Sequence, residues 1–252
     1  MTTATTDPAR RLLSPAIARI RRTDDVPVGA GVLVLDGYVL TCAHIVDAAV
    51  GRSLDPADAL RVAVPLDFVL ANKGQVVEAY VVAWVPIADD ESGDVALLRL
   101  RGEPPPHARG ARIVVSADLF GHPFSTYGFP AGYPHGVWST GRLLREQGSH
   151  WWQLEDTKDT GIRVEPGFSG APVWDEALRG VVGILATHDR PAQTRTAFML
   201  PIGEILGLLP GHRHLLVPPP APEREGVDLS LDDITRRSPG RRSRWRSWID
   251  GS

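Results

Sequence analysis

"VEPGFSGAPVW", residues 164–174, carries the question that organises this chain. Glycine and proline flank Ser169 on both sides. That composition usually marks a turn, because glycine supplies positive φ and proline presets φ near −65°. A serine so placed becomes a nucleophile only if the chain also supplies a base and a group to orient that base. Two other stretches offer them. "LTCAHIVDA" (40–48) sets His44 directly after an apolar run, and "SGDVALLRL" (92–100) sets Asp94 at the start of another. Singly, each has an ordinary explanation: a histidine satisfied in the core or lying on the surface, and an aspartate in a turn.

The segments between these residues read as short strands. Val-, Leu- and Ile-rich runs bounded by Gly, Pro or Asp fall at 16–20, 29–36, 38–41, 60–66, 76–85 and 95–100. A proline-rich, charged connector follows at 101–112. A second set falls at 112–117, 124–129, 136–146, 150–155, 171–175, 180–187 and 196–201. Many short strands with frequent turn signals predict an all-β chain of barrels or sandwiches, not a βαβ sheet. Only "PIGEILGLLP" (201–210) reads as a helix, with prolines at its start and end. No repeat of solenoid period is present.

Composition narrows the function classes. The chain has 252 residues, 43% apolar and 23% charged, with a net charge of −3. That is ample for a buried core and lacks the basic excess of a nucleic-acid-binding surface. Its single cysteine, Cys42, excludes an intramolecular disulfide and fits a reducing compartment. The opening 22 residues have no apolar stretch behind a basic flank, and no run is long enough to span a membrane. A cytoplasmic location is therefore expected. No metal or other cofactor is expected: His212 and His214 lack nearby carboxylate or thiol partners. From about 217 a proline-rich linker leads to "RRSPGRRSRWRSW" (236–248), whose six arginines follow an acidic stretch and read as a solvated tail.

The order His44, Asp94, Ser169 differs from the Ser–Asp–His order of α/β-hydrolases and the Asp–His–Ser order of subtilisins. It resembles the order in the trypsin/chymotrypsin superfamily, specifically its disulfide-poor bacterial branch. The likeness covers roughly residues 14–210. It rests on "GAGVLV" before the histidine, "LTCAHIV", "GDVALLRL", "PGFSGAPVW" and the following "GVVGI". The stretch "GFPAGYPHGVWSTGRL" (128–143) is similar to trypsin-like peptidase domains of bacterial conflict and signalling proteins, in which the peptidase often accompanies a sensor, NTPase or repeat module.

The resemblance implies two six-stranded antiparallel β-barrels with a short C-terminal helix. An N-terminal extension (1–13) would precede a first barrel (14–105) carrying His44 and Asp94. A second barrel with the helix (106–212) would carry Ser169, and a linker or tail (213–252) would follow. It implies a serine endopeptidase acting on protein or peptide substrates, with the N–H groups of Gly167 and Ser169 as the oxyanion hole. Two departures stand out. Phe168 occupies the place where the animal digestive enzymes carry an aspartate that pairs with a newly cut N-terminal amine, and Ala171 replaces a glycine. Arg163 stands where trypsin has its pocket aspartate. It would suit acidic substrate side chains, or it points to solvent or pairs with Glu165. Leu185, Ala186 and Thr187 are expected along the substrate groove. Trp151 and Trp152 offer a binding platform or core packing, and Cys42 reads as a small buried hydrophobe. The resemblance points to a regulated effector domain in antiviral defence or signalling, with a sensor, NTPase or repeat module as partner and neither nucleic acid nor membrane. The alternatives are a non-catalytic binding module on the same fold and an exported quality-control protease.

Overall fold

The computed structural model describes residues 7–71, 74–148, 150–157, 161–186 and 196–216. Strands β1 (Ile17–Arg21), β2 (Pro27–Leu33), β3 (Tyr38–Thr41), β4 (Ala63–Asp67), β5 (Val77–Val85) and β6 (Val95–Leu100) close a barrel in the order β1-β2-β3-β6-β5-β4. Strands β7 (Pro123–Gly128), β8 (Val137–Gln147), β9 (Trp151–Glu155), β10 (Pro172–Asp175), β11 (Gly180–Ala186) and β12 (Thr196–Pro201) close a second. Read from β7, the second order is β7-β8-β9-β12-β11-β10, the same connectivity as the first. All paired strands in both barrels are antiparallel. Closure leaves neither sheet a strand unpaired along a whole side.

Each barrel's sheet buries apolar side chains on both of its faces. Ile17, Ile20, Leu40, Leu66 and Leu97 are wholly buried in the first, and Leu143, Leu154, Val173, Ile184 and Met199 in the second. The first barrel closes through the β1–β4 ladder, where Arg19 lies opposite Asp67. Asp67 is fully buried, and its Oδ2 accepts from Arg19 Nη2 at 2.7 Å and from Arg21 Nε at 2.6 Å. Two guanidinium partners offset the cost of burying this carboxylate. Arg19 also reaches the second barrel. It donates to the Pro134 carbonyl, and its guanidinium lies 5.7 Å from the centroid of the Phe129 ring.

Strands Tyr38–Thr41, Val95–Leu100 and Thr196–Pro201 have the limits expected from sequence, and others shift at their ends. One expected strand is absent. In the run 112–117, Ile113 makes an isolated parallel bridge to Val181, with Val114 N–H donating to Val181 O at 2.9 Å. The six strands already close their barrel, so this run pairs with β11 at Val181 alone and adds no seventh strand. The helices are more numerous than expected. α1 (Pro8–Leu12) is capped by Asp7, whose Oδ1 accepts from Ala9 N–H at 3.0 Å, and Ala9 and Leu13 are buried in the core. α2 (Ala43–Val50) follows β3 directly, buries Ile45, Val46 and Ala49, and stops at Gly51 with φ +78°. α3 (Pro56–Ala59) is a single turn, α4 (Ile202–Leu208) is the expected C-terminal helix, and α5 (Arg213–Leu216) follows it. Leu216 is buried, so the chain is still ordered three residues past 213. The tail read from 217 onward lies outside the described residues. No helix among the described residues is long and apolar enough to cross a membrane.

Candidate active site

The turn entering β6 places Asp94. Gly93 has φ +97° and Asp94 φ +60°. Asp is one of the few residues that tolerates the left-handed region, while Gly93 is required sterically: a Cβ there would stand 2.0 Å from the Pro86 carbonyl oxygen. The Asp94 side chain is 1% exposed. A carboxylate so buried needs donors. The backbone N–H of His44, in the first turn of α2, donates to its Oδ1 at 3.0 Å. That N–H is one of the groups a helix leaves without an internal partner. The His44 ring presents Nδ1 to the same carboxylate, 2.8 Å from Oδ2 and 3.0 Å from Oδ1. The proton of a neutral imidazole therefore resides on Nδ1, and Nε2 keeps its lone pair. The His44 side chain remains 35% exposed, so that basic nitrogen is not sealed from substrate.

Ser169 is brought to the same seam from the second barrel. Its carbonyl oxygen accepts from Ala30 N–H on β2 at 2.8 Å. The next residue, Gly170, donates its N–H to Leu185 O on β11 at 2.7 Å. A Cβ on Gly170, which has φ +78°, would stand 2.4 Å from Thr41 Oγ1 at the end of β3. The Ser169–Gly170 segment is thus wedged between β11 and the strands that lead to His44. Cys42, two residues before His44, donates its thiol to the same Leu185 oxygen at 3.3 Å. Complete burial, reinforced by the Asp94 charge, pushes this thiol well above its ordinary pKa. A thiol so held is protonated and unreactive. Cys42 is a buried small side chain as expected, and it also stitches the two barrels together.

Cys42, His44 and Asp94 form the one group among the described residues whose possible metal-ligand atoms all lie within 4.8 Å of one another. The carboxylate already engages the imidazole, and the thiol keeps its proton. This donor set does not fit a resident metal ion.

The remaining expected residues separate. Gly167 has φ +105°, and a Cβ there would stand 2.5 Å from Phe129 O. Phe168 is wholly buried, an enclosure worth about 1.5–3 kcal/mol for a side chain of this size. Ala171 is buried, and its N–H donates to Phe168 O at 2.9 Å. Arg163 is half-buried and lines a cavity of about 10 Å³ with Asp156, Val164, Thr196 and Ala197, hardly room for one water. No ion pair joins it to Glu165 among the described residues. Leu185 and Ala186 are buried, and the Leu185 backbone is engaged within the chain, its N–H donating to Ala171 O at 2.8 Å and its carbonyl accepting from Gly170. Thr187 lies outside the described residues. Trp151 and Trp152 are buried, and Trp151 Nε1–H donates to Glu91 O at 2.9 Å, steadying the loop that enters Asp94.

Sequence reasoning did not single out Gly128. A Cβ at this glycine, the last residue of β7, would stand 2.4 Å from Phe168 Cγ. A glycine inside a strand pattern is the available signal, since it marks close approach by another part of the chain.

The profile of a family described as trypsin-like peptidase domain matches residues 29–184. No curated protein matches the chain by sequence. Among solved structures, the inactive form of the Rv3671c protease is similar at 21% identity and a TM-score of 0.58, covering 82% of this chain and 93% of that one. A serine-to-alanine mutant of Rv3671c from M. tuberculosis, also in an inactive form, aligns at 21% identity and a TM-score of 0.57 over 82% of this chain and 90% of that one. The serine endoprotease from Yersinia pestis aligns at 16% identity and a TM-score of 0.59 over 84% of this chain and 67% of that one. At these identities the structural likeness speaks for the fold.

Proposed function

The chain belongs to the family of trypsin-like peptidase domains and is a serine endopeptidase, and we propose that His44, Asp94 and Ser169 carry its chemistry. His44 Nε2 takes the proton of Ser169 Oγ as the oxygen attacks a peptide carbonyl carbon, and then delivers that proton to the leaving amine. Water, activated by the same nitrogen, releases the acyl group and restores the serine. Asp94 fixes the tautomer and stabilises the imidazolium formed at each step. The N–H groups of Gly167 and Ser169 receive the oxyanion. The observation that carries this reading is the bond from His44 Nδ1 to the buried Asp94 carboxylate at 2.8 Å, on the barrel whose Ala30 N–H holds the Ser169 carbonyl at 2.8 Å.

The proposal extends to setting. A fold closed with no disulfide, its single cysteine buried and protonated, supports work inside a reducing cell compartment. The likeness of residues 128–143 to peptidase domains of bacterial conflict proteins supports a regulated effector of defence or signalling, governed by a sensor, NTPase or repeat module.

A fluorophosphonate probe tests the chemistry. Labelling should map to Ser169 and vanish in Ser169→Ala and His44→Ala. A folded wild-type protein that stays unlabelled, alone and with its neighbouring gene products, would leave a binding module as the reading.

A further inference from the structure

Phe168 directly precedes Ser169, and its surroundings are apolar. The ring is wholly buried and lies on the backbone of Gly128, where a Cβ would stand 2.4 Å from Phe168 Cγ and 2.5 Å from Cδ1. Next to this contact the two segments are also bonded: Phe129 N–H donates to Gly167 O at 2.9 Å. A Cβ at Gly167 would stand 2.6 Å from Pro130 Cα. Each segment therefore carries a glycine where the other closes on it, and the ring fills the notch between them.

This docking fixes a turn. Phe168 N–H donates to Glu165 O at 3.0 Å, with Pro166 in the second position and Gly167 in the third at φ +105°. Proline second, glycine third and positive φ at the third position are the type II pattern. Types I and II differ by a flip of the central peptide, here Pro166–Gly167, whose N–H is one of the two proposed oxyanion donors. Whatever holds Gly167 at positive φ holds that donor in one of two alternative directions.

We propose that Phe168 is a positioning residue for the peptidase reaction: its ring, seated on Gly128, holds the Glu165–Phe168 turn so that the Gly167 and Ser169 N–H groups are aligned as the chain folds. The proposal rests on the reading of Ser169 as nucleophile and deepens it by assigning the form of control. An internal apolar clamp needs no newly cut N-terminal amine and no partner to form the oxyanion hole. A trigger then acts on substrate access, and so on KM, instead of on the turn.

The experiment uses the full chain and a peptide substrate, with kcat, KM, thermal unfolding and affinity for a peptidyl boronate read together. Phe168→Ala should lower kcat by about 10²–10³-fold, the loss typical of a misplaced oxyanion donor, with KM within about threefold of wild type. Boronate affinity should fall in parallel, because its tetrahedral adduct uses the same donors. Phe168→Leu should recover part of both. A folded Phe168→Ala protein with wild-type kcat overturns the clamp. Should that variant fail to fold, Gly128→Ala and Phe168→Leu decide: slowed kcat at near-native stability supports the clamp, and unchanged kcat overturns it. N-terminal acetylation of the wild-type chain should leave kcat intact, and a loss on acetylation would also overturn the clamp. Ser169→Ala separates the two claims. Turnover that survives it sinks the nucleophile reading and the clamp with it. Turnover that it abolishes, but that ignores Phe168 and Gly128, overturns the clamp alone.

Discussion

Asp94 meets three demands with one side chain: it accepts the backbone N–H that opens α2, it orients the His44 ring, and it does both at 1% exposure. The residue types proposed as base, orienter and nucleophile could be singled out in the sequence, because few side chains can take those roles. Pocket residues were less readable, since their meaning depends on which charges meet in space. Arg163 lines a cavity of about 10 Å³ together with Asp156, so a carboxylate neighbours its guanidinium there. We therefore expect Arg163→Ala to leave the cleavage profile of a peptide library unaltered, with small or apolar residues leading before the scissile bond. A wild-type preference for Asp or Glu that disappears in Arg163→Ala would instead make Arg163 the pocket cation.

Among the elements, the turn into β6 is the one on which the site most depends. Gly93→Ala forces a Cβ to 2.0 Å from the Pro86 carbonyl and strains φ +97°. Thermal and denaturant unfolding should show a loss of at least about 1–3 kcal/mol, and kcat should fall with it as Asp94 is displaced. An unchanged midpoint together with unchanged kcat would contradict this account of the turn. Strands were legible in sequence wherever β-branched runs met Gly or Pro. "AHIVDAAV" was not legible as α2, because eight residues with apolar positions 45, 46 and 49 give a helical period too little length to declare itself. "RIVVSA" failed for the opposite reason. It has strand composition, but it finds only a short stretch of edge, at Val181, because β12 pairs with β11 from Gly183 onward.

At the scale of the whole molecule, the two barrels share one connectivity that no repeat in the sequence announces. Barrel closure depends on inward apolar positions, which many sequences satisfy. The seam between the barrels is more demanding. Arg19 crosses it to Pro134, Cys42 to Leu185, and Ala30 to Ser169, so the site is assembled only when both barrels are folded and docked. That explains why three residues spread over 126 positions of sequence, His44 to Ser169, could be read as a set from their types and order, whereas Gly128, Thr41 and the Cys42 contact could not. The measurement that bears most directly on the central claim is turnover of a cleavable protein by purified wild type, Ser169→Ala and His44→Ala, each verified as folded. The account predicts cleavage by wild type and a loss of comparable size, several orders of magnitude, in both variants, because members of a triad act as a unit. Cleavage by Ser169→Ala at a rate near that of wild type would contradict it.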